Sequence, residues 1–268
     1  MLGKLLKYEM KAMGRIVLPF YAALIGVAIL FSISLAINGF EFDGALSAIM
    51  NTILVVALVC LFIASGVVCL VLIIQRYYRN LLGDEGYLMF SLPVKTSEHI
   101  ACKTISAMIW STLGVLAGLI AVFVLLLGAV GPAEVMEALG RALKEYLTIG
   151  IGHAVLFPVE ILVLILLNEA AQCAQIFSAI SIGHLWSEHR ILGAILAYIG
   201  ISTVSSVLVT IIGLVLPWED IGLWIERMMS ELGSAHLLIW GLNLINLAIT
   251  AIFSAISWYM LDRRLNLQ

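Results

Sequence analysis

The chain has 268 residues, 63% of them hydrophobic and only 12% charged, with a formal net charge of −3 and a mean hydropathy of +1.12. One soluble core of this length cannot bury that much apolar surface, so a water-soluble domain is excluded. The net charge alone says little about partners, because in a membrane protein the side on which charges lie is what counts.

The first predicted element covers residues 1–15. Leu2, Leu6, Met10, Met13 and Val17 fall on one helical stripe and Lys4, Lys7, Lys11 and Arg15 on the opposite one, as spacings of three and four require. This is the pattern of an interfacial amphipathic helix, with lysines turned towards anionic lipid.

Six apolar stretches follow, each at least about the 20 residues that a helix needs to cross the hydrocarbon layer. They are Ile16 to Ile37, Ala48 to Ile74, Ile105 to Val130, Ile149 to Ile182, Ile191 to Leu216 and Leu237 to Leu261. The runs are continuous rather than alternating, and a bilayer demands internally satisfied backbone, so they read as helices and not as barrel strands. The fold class expected is all-α: a polytopic membrane protein with six transmembrane helices in one domain spanning 1–268. The first run is too long for a cleaved signal sequence, and five more follow it, so it reads as a retained span.

Two connecting segments have helical periodicity. "GPAEVMEALGRALKEYLT" places Val135, Leu139, Leu143 and Leu147 on one face; "PWEDIGLWIERMMSELGSAH" does the same with Ile221, Trp224, Ile225, Met228 and Leu232. Both are expected to lie along the outer surface, with Trp218 and Trp224 at headgroup level. Cys60, Cys69, Cys102 and Cys173 form no CxxC pair, so neither a disulfide framework nor a zinc site is expected.

The loops divide unequally in charge. Lys4, Lys7, Lys11, Arg15, Arg76, Arg79, Lys95, Lys103, Arg190, Arg263 and Arg264 fall on one side, 11 of the 14 basic residues, against Arg141, Lys144 and Arg227 on the other. The positive-inside rule places both termini and the second and fourth loops in the cytoplasm. Nine carboxylates, Glu41, Asp43, Glu134, Glu137, Glu145, Glu219, Asp220, Glu226 and Glu231, fall on the opposite side.

The longest charged connection is Gln75 to Lys103, "QRYYRNLLGDEGYLMFSLPVKTSEHIACK". A simple turn between spans needs only a few polar residues. Here Asp84 and Glu85 precede Gly86 and an apolar patch of Tyr87, Leu88, Met89, Phe90 and Leu92, a mixture suited to docking another protein. Pro93 keeps the residue before it out of helical conformation, so a short helix near Glu85 to Phe90 is expected to end there.

This segment resembles the first cytoplasmic loop of type 2 ABC exporter permeases, on Glu85, Gly86, Leu88, Leu92, Pro93, Ile100 and Lys103. The amphipathic start resembles that family's connecting helix, and "AISIGHLWSEHRILGA", Ala179 to Ala194, resembles the inner end of its fourth span in small permeases of Gram-positive bacteria. The resemblance implies a bacterial plasma-membrane permease subunit whose short helix, Asp84 to Phe90 with Pro93, is the coupling helix. It implies two copies of a separate ATP-binding subunit, a second permease protomer making a homo- or heterodimer, and export by alternating access, with an amphipathic or antimicrobial peptide as the expected cargo. No GxxxxGK[ST] occurs, so the chain is expected to be no enzyme and to bind no cofactor, ATP and Mg belonging to the partner. The lipid bilayer is an expected partner, nucleic acid is not, and the short outer loops leave no room for a large extracellular domain.

Two carboxylates, Glu160 and Glu169, lie inside the fourth span, where a charge facing lipid costs at least about 2.5 kcal/mol. They are therefore expected to face protein or water. Nine residues apart, they point to nearly opposite sides of one helix. Asn168, Glu169, Gln172 and Gln175 form a polar stripe that, with Glu160, reads as a candidate translocation path or as hydrogen-bonding glue between helices. Pro158 is expected to bend the helix just before Glu160. An intramembrane acid also suits a proton-coupled secondary transporter, the alternative function, although no half-to-half repeat supports it. "HLWSEH" is neither HExxH nor HxxEH, and one helix face cannot present His184 and His189 together, so a metalloprotease is set aside. Gly114 and Gly118 form a GxxxG that permits close helix approach.

Overall fold

A computed structural model describes residues 2–38, 45–83, 85–91, 93–186, 189–215 and 232–263. Every regular element among them is helical: α1 (Leu2–Asn38), α2 (Ala45–Tyr77), a π-helical turn (Tyr78–Leu82), α3 (Gly86–Phe90), α4 (Thr96–Ala129), α5 (Pro132–Leu147), α6 (Ile151–Gly183), α7 (Arg190–Val215) and α8 (Leu232–Arg263).

Among the described residues five helices are long and apolar enough to cross a membrane: Leu2–Ile37, Leu46–Leu82, Thr96–Ala129, Ile151–Gly183 and Ala235–Arg263. The protein is therefore an all-α, multi-pass membrane protein. The fifth stretch named from sequence falls on α7, whose apolar run within the described residues is the shorter Arg190–Val204. The second outer-loop helix, around Trp218 to Glu231, lies outside the described residues.

The amphipathic start and the first span are one continuous helix. At about 1.5 Å per residue α1 is roughly 55 Å long, well beyond the ~30 Å hydrocarbon layer. Its stripe is sorted as the spacing requires: Met13 and Val17 are buried while Lys4, Lys7, Lys11 and Arg15 are exposed. The helix α4 also begins nine residues earlier than the apolar run suggests. Span length is set by the bilayer, but helix length is set by backbone bonding, and Thr96 to Lys103 can coil without being apolar; Glu98 N–H donates to Lys95 O at 2.9 Å in the first turn.

The chain divides into two compact units. One comprises residues Gly3–Ile73 and Ile109–Ile151. Its core joins Leu24 and Ala28 of α1 to Ala121 of α4, with Leu58, Leu61 and Leu125 packed around them. Polar stitches tie the same helices: Tyr21 OH donates to Trp110 O (2.8 Å), Ser32 Oγ to Val124 O (2.7 Å) and Ser34 Oγ to Asn51 Oδ1 (2.6 Å). Small residues make these approaches feasible. A Cβ on Gly114 would meet Tyr21 OH at 2.6 Å, and one on Gly128 would overlap the backbone of Ser32, so the glycine spacing of α4 serves packing within the chain. No residue of α5 is buried, and Leu139, Leu143 and Leu147 are exposed along it.

The other unit comprises Met1–Leu2, Ile74–Met108 and Gly152–Gln268. Tyr77, fully buried at the end of α2, stacks on Phe177 of α6 with centroids 4.1 Å apart, and its hydroxyl lies 2.8 Å from Ser181 Oγ. The α6–α7 turn is closed by two glycines: a Cβ on Gly183 would overlap the backbone of Gly193 and Ala194.

Candidate functional site

The connection between α2 and α4 forms a hydrogen-bonded mount for α3. After Tyr77 the helix widens into the π turn, closed by Gly83 N–H donating to Tyr78 O at 2.9 Å, with Leu81 and Leu82 buried beneath it. Wide turns of this kind recur where a helix must re-aim its chain. A Cβ on Gly83 would sit 3.0 Å from Arg79 O, so the turn has little room for a side chain there. Gly86 N–H then donates to Gly83 O (2.8 Å), which starts α3 directly above the turn.

Charge fixes this mount from one side. Arg79 Nε and Glu85 Oε1 form an ion pair at 2.8 Å, with side chains 66% and 43% exposed. The Asn80 amide, oriented to suit its neighbours, donates to Glu85 Oε2 (3.3 Å) and Arg76 O (3.2 Å) and accepts from Lys103 Nζ (3.1 Å). Lys103 is thus buried inside the mount, although the loop count treats it as a surface cation. Ser91 Oγ, donating to Leu88 O (2.7 Å), closes the far end of α3.

What the mount displays is apolar. Tyr87 and Leu88 are 73% and 67% exposed, Gly86 is buried, Met89 is half-buried and Pro93 is exposed. Asp84 and the side chain of Phe90 lie outside the described residues. Just beyond, where α4 begins and α8 ends, Val94, Lys95, Thr96, Ser97, Trp258 and Asp262 line an open cleft of about 540 Å³.

The second set of sequence-derived residues separates. Glu160 is 0% exposed, whereas Asn168 and Gln172 are exposed on α6 and Glu169 and Gln175 are half-buried. Glu160 is bonded to α8: Trp240 Nε1–H donates to Glu160 Oε1 at 2.8 Å, and His236 Nδ1 lies 2.6 Å from Glu160 Oε2. The other ring nitrogen of His236, Nε2, is 2.8 Å from Nδ1 of His153, in the first turn of α6. Phe157 stacks on His236 with centroids 4.2 Å apart. The helix α6 runs on through Pro158.

His153, His236 and Trp240 were not singled out from the sequence. The available signal was Glu160 itself, since a carboxyl inside a span needs a partner; which partner depends on how α6 and α8 pack, and spacing within one helix cannot supply that. Of the "HLWSEH" motif, Ser187 and Glu188 lie outside the described residues. His184 is held below its usual imidazole range by burial and by the positive charge of Arg190. Among the described residues no His, Cys, Asp and Glu group is arranged to hold a metal ion. Compared with known protein families, with curated proteins and with solved structures, the chain matches none.

Proposed function

We propose that this chain is the membrane-spanning permease subunit of an ATP-driven ABC exporter, with α3 as its coupling helix. The observation that carries the reading is the display of Tyr87 and Leu88 on a short helix held by the Arg79–Glu85 pair and Asn80. Exposed aromatic and aliphatic side chains outside the spans cost solvation unless a protein groove covers them, and a hydrogen-bonded mount is what transmits a partner's motion to α2 and α4. The sequence holds no P-loop, so ATP and Mg would be bound by a separate subunit, present in two copies around a dimer of permeases.

In this reading α7 is the sixth span, α1 begins as an interfacial helix, and both termini lie in the cytoplasm, as the 11-to-3 split of basic residues favours. ATP-driven closure of the partner pair would move α3 and switch the bundle between inward- and outward-open states. A peptide or other amphipathic cargo would leave between the protomers in that step.

Reversing the charge in Glu85→Lys, or truncating with Tyr87→Ala and Leu88→Ala, should abolish cargo-stimulated ATPase activity of the reconstituted complex while the permease still folds. Normal coupling in these variants contradicts the docking role. Cargo movement by the purified chain alone in liposomes, driven by an imposed pH gradient, would favour the proton-coupled alternative instead.

A further inference from the structure

Glu160, His236 and His153 are joined in series, and the series can be protonated in two self-consistent ways. Trp240 Nε1 can only donate, so Glu160 Oε1 accepts in both. With Glu160 ionised, His236 donates from Nδ1 to Oε2 and accepts at Nε2 from His153 Nδ1–H, which leaves the lone pair of His153 on its own Nε2. When one proton binds there, His153 passes its Nδ1 proton to His236 Nε2. His236 then passes its Nδ1 proton to Glu160 Oε2. The balance is one proton in at His153, with every N–H or O–H broken replaced by another, and the net charge of the three groups rises by one.

We propose that Glu160, His236 and His153 form a proton-binding relay, with half-buried His153 as its entrance and fully buried Glu160 as its terminus. Three observations separate this from a clamp between helices. Trp240 and His236 already satisfy both oxygens of Glu160, and His153 pairs instead with the remaining ring nitrogen of His236, so the series extends from a 0% exposed carboxyl to a half-buried position. The histidines meet edge to edge through nitrogens at 2.8 Å, the spacing proton transfer needs. The polar stripe of α8 also continues inward: one turn past Trp240, Asn243 is 2% exposed, and neither amide atom has a partner among the described residues.

Of the titratable groups on α6 and α8, these three are joined to one another by hydrogen bonds; Cys173 lies 13 residues beyond Glu160 on α6 and Tyr259 lies 23 beyond His236 on α8. Glu169, the next carboxylate on α6, is nine residues on, about 13 Å at 1.5 Å per residue, and Asp262 and Arg263 lie at the opposite end of α8. Because the net charge of the site changes where apolar surroundings make charge expensive, proton uptake would alter how tightly α6 and α8 hold together. This inference does not depend on an ATP-binding partner, and its test is run without one.

The test is infrared difference spectroscopy on the full chain in lipid nanodiscs, stepped between about pH 5 and 8, the window in which imidazoles titrate. A carboxyl C=O band should appear and disappear with pH, vanish in Glu160→Gln and shift in frequency in Trp240→Phe, which removes only the donor to Oε1. After a jump into heavy water, His153→Phe should slow hydrogen–deuterium exchange of that band about tenfold or more while leaving helix content unchanged. Should Glu160→Gln not fold, the Trp240→Phe shift still assigns the band. A Glu160 carboxyl that does not titrate in this window overturns the relay, and so does exchange at the wild-type rate in His153→Phe, which would leave the three groups as a packing clamp.

Discussion

Two glutamates divide this molecule's polar chemistry between them. Glu85 sits on the mount of α3, partly exposed and paired with Arg79 at 2.8 Å; Glu160 sits inside α6, wholly buried, bonded to His236 and Trp240 of α8. Water still solvates the first pair, so its pairing adds only about 0–1 kcal/mol to stability, and its value is to orient a short helix. The second has no water to fall back on, so its partners are obligatory. One carboxylate thus braces a short helix with an exposed apolar face, the other is bonded to side chains of a neighbouring helix.

The largest expected effect follows from that contrast. His236→Ala strands a buried carboxyl and should cost about 3 kcal/mol or more, read as a lowered unfolding midpoint in detergent; a midpoint equal to the wild type would break the comparison. Next comes packing. Gly183→Val drives a side chain into the backbone of Gly193 and Ala194 at the α6–α7 turn, and overpacking of this kind costs about 1–3 kcal/mol. Arg79→Ala should cost no more than about 1 kcal/mol, yet, under the proposed function, lower cargo-stimulated ATPase activity, because α3 loses its brace without losing its exposed face. If Arg79→Ala were as destabilising as His236→Ala, the two glutamates would not differ as described.

The smallest effect is a pH dependence at His184. Its folded-state affinity for protons is lowered by burial and by Arg190, so the unfolded chain binds the proton more readily. Stability contributed there is present above the ordinary imidazole value of about 6.5 and is lost as pH falls below it. His184→Gln should flatten that part of the stability profile.

Much of the fold was legible because the bilayer imposes a length and a polarity that composition reports directly. The Ile16 to Ile37 run lies in α1 and the Leu237 to Leu261 run in α8, each within a helix extended by its polar flanks. Those extensions were hidden for a physical reason: Thr96, Glu98 and Lys103 are compatible with a helix but carry no apolar signal, so the start of α4 read as loop. The α3 turn could be approached from local chemistry, since Gly86 and Pro93 bracket it in sequence. The partners of Glu160 could not, because His236 lies 76 residues away and is brought to it only by tertiary packing.

Co-purification tests the central claim most directly. The tagged full-length chain, extracted from its own membrane in mild detergent, should bring down a P-loop ATPase that recombines with the purified chain, and the Tyr87→Ala, Leu88→Ala double variant should lose it while retaining wild-type helix content. Recovery of the chain without any such ATPase, or full retention of the ATPase by the double variant, would contradict the assignment of α3 as a coupling helix.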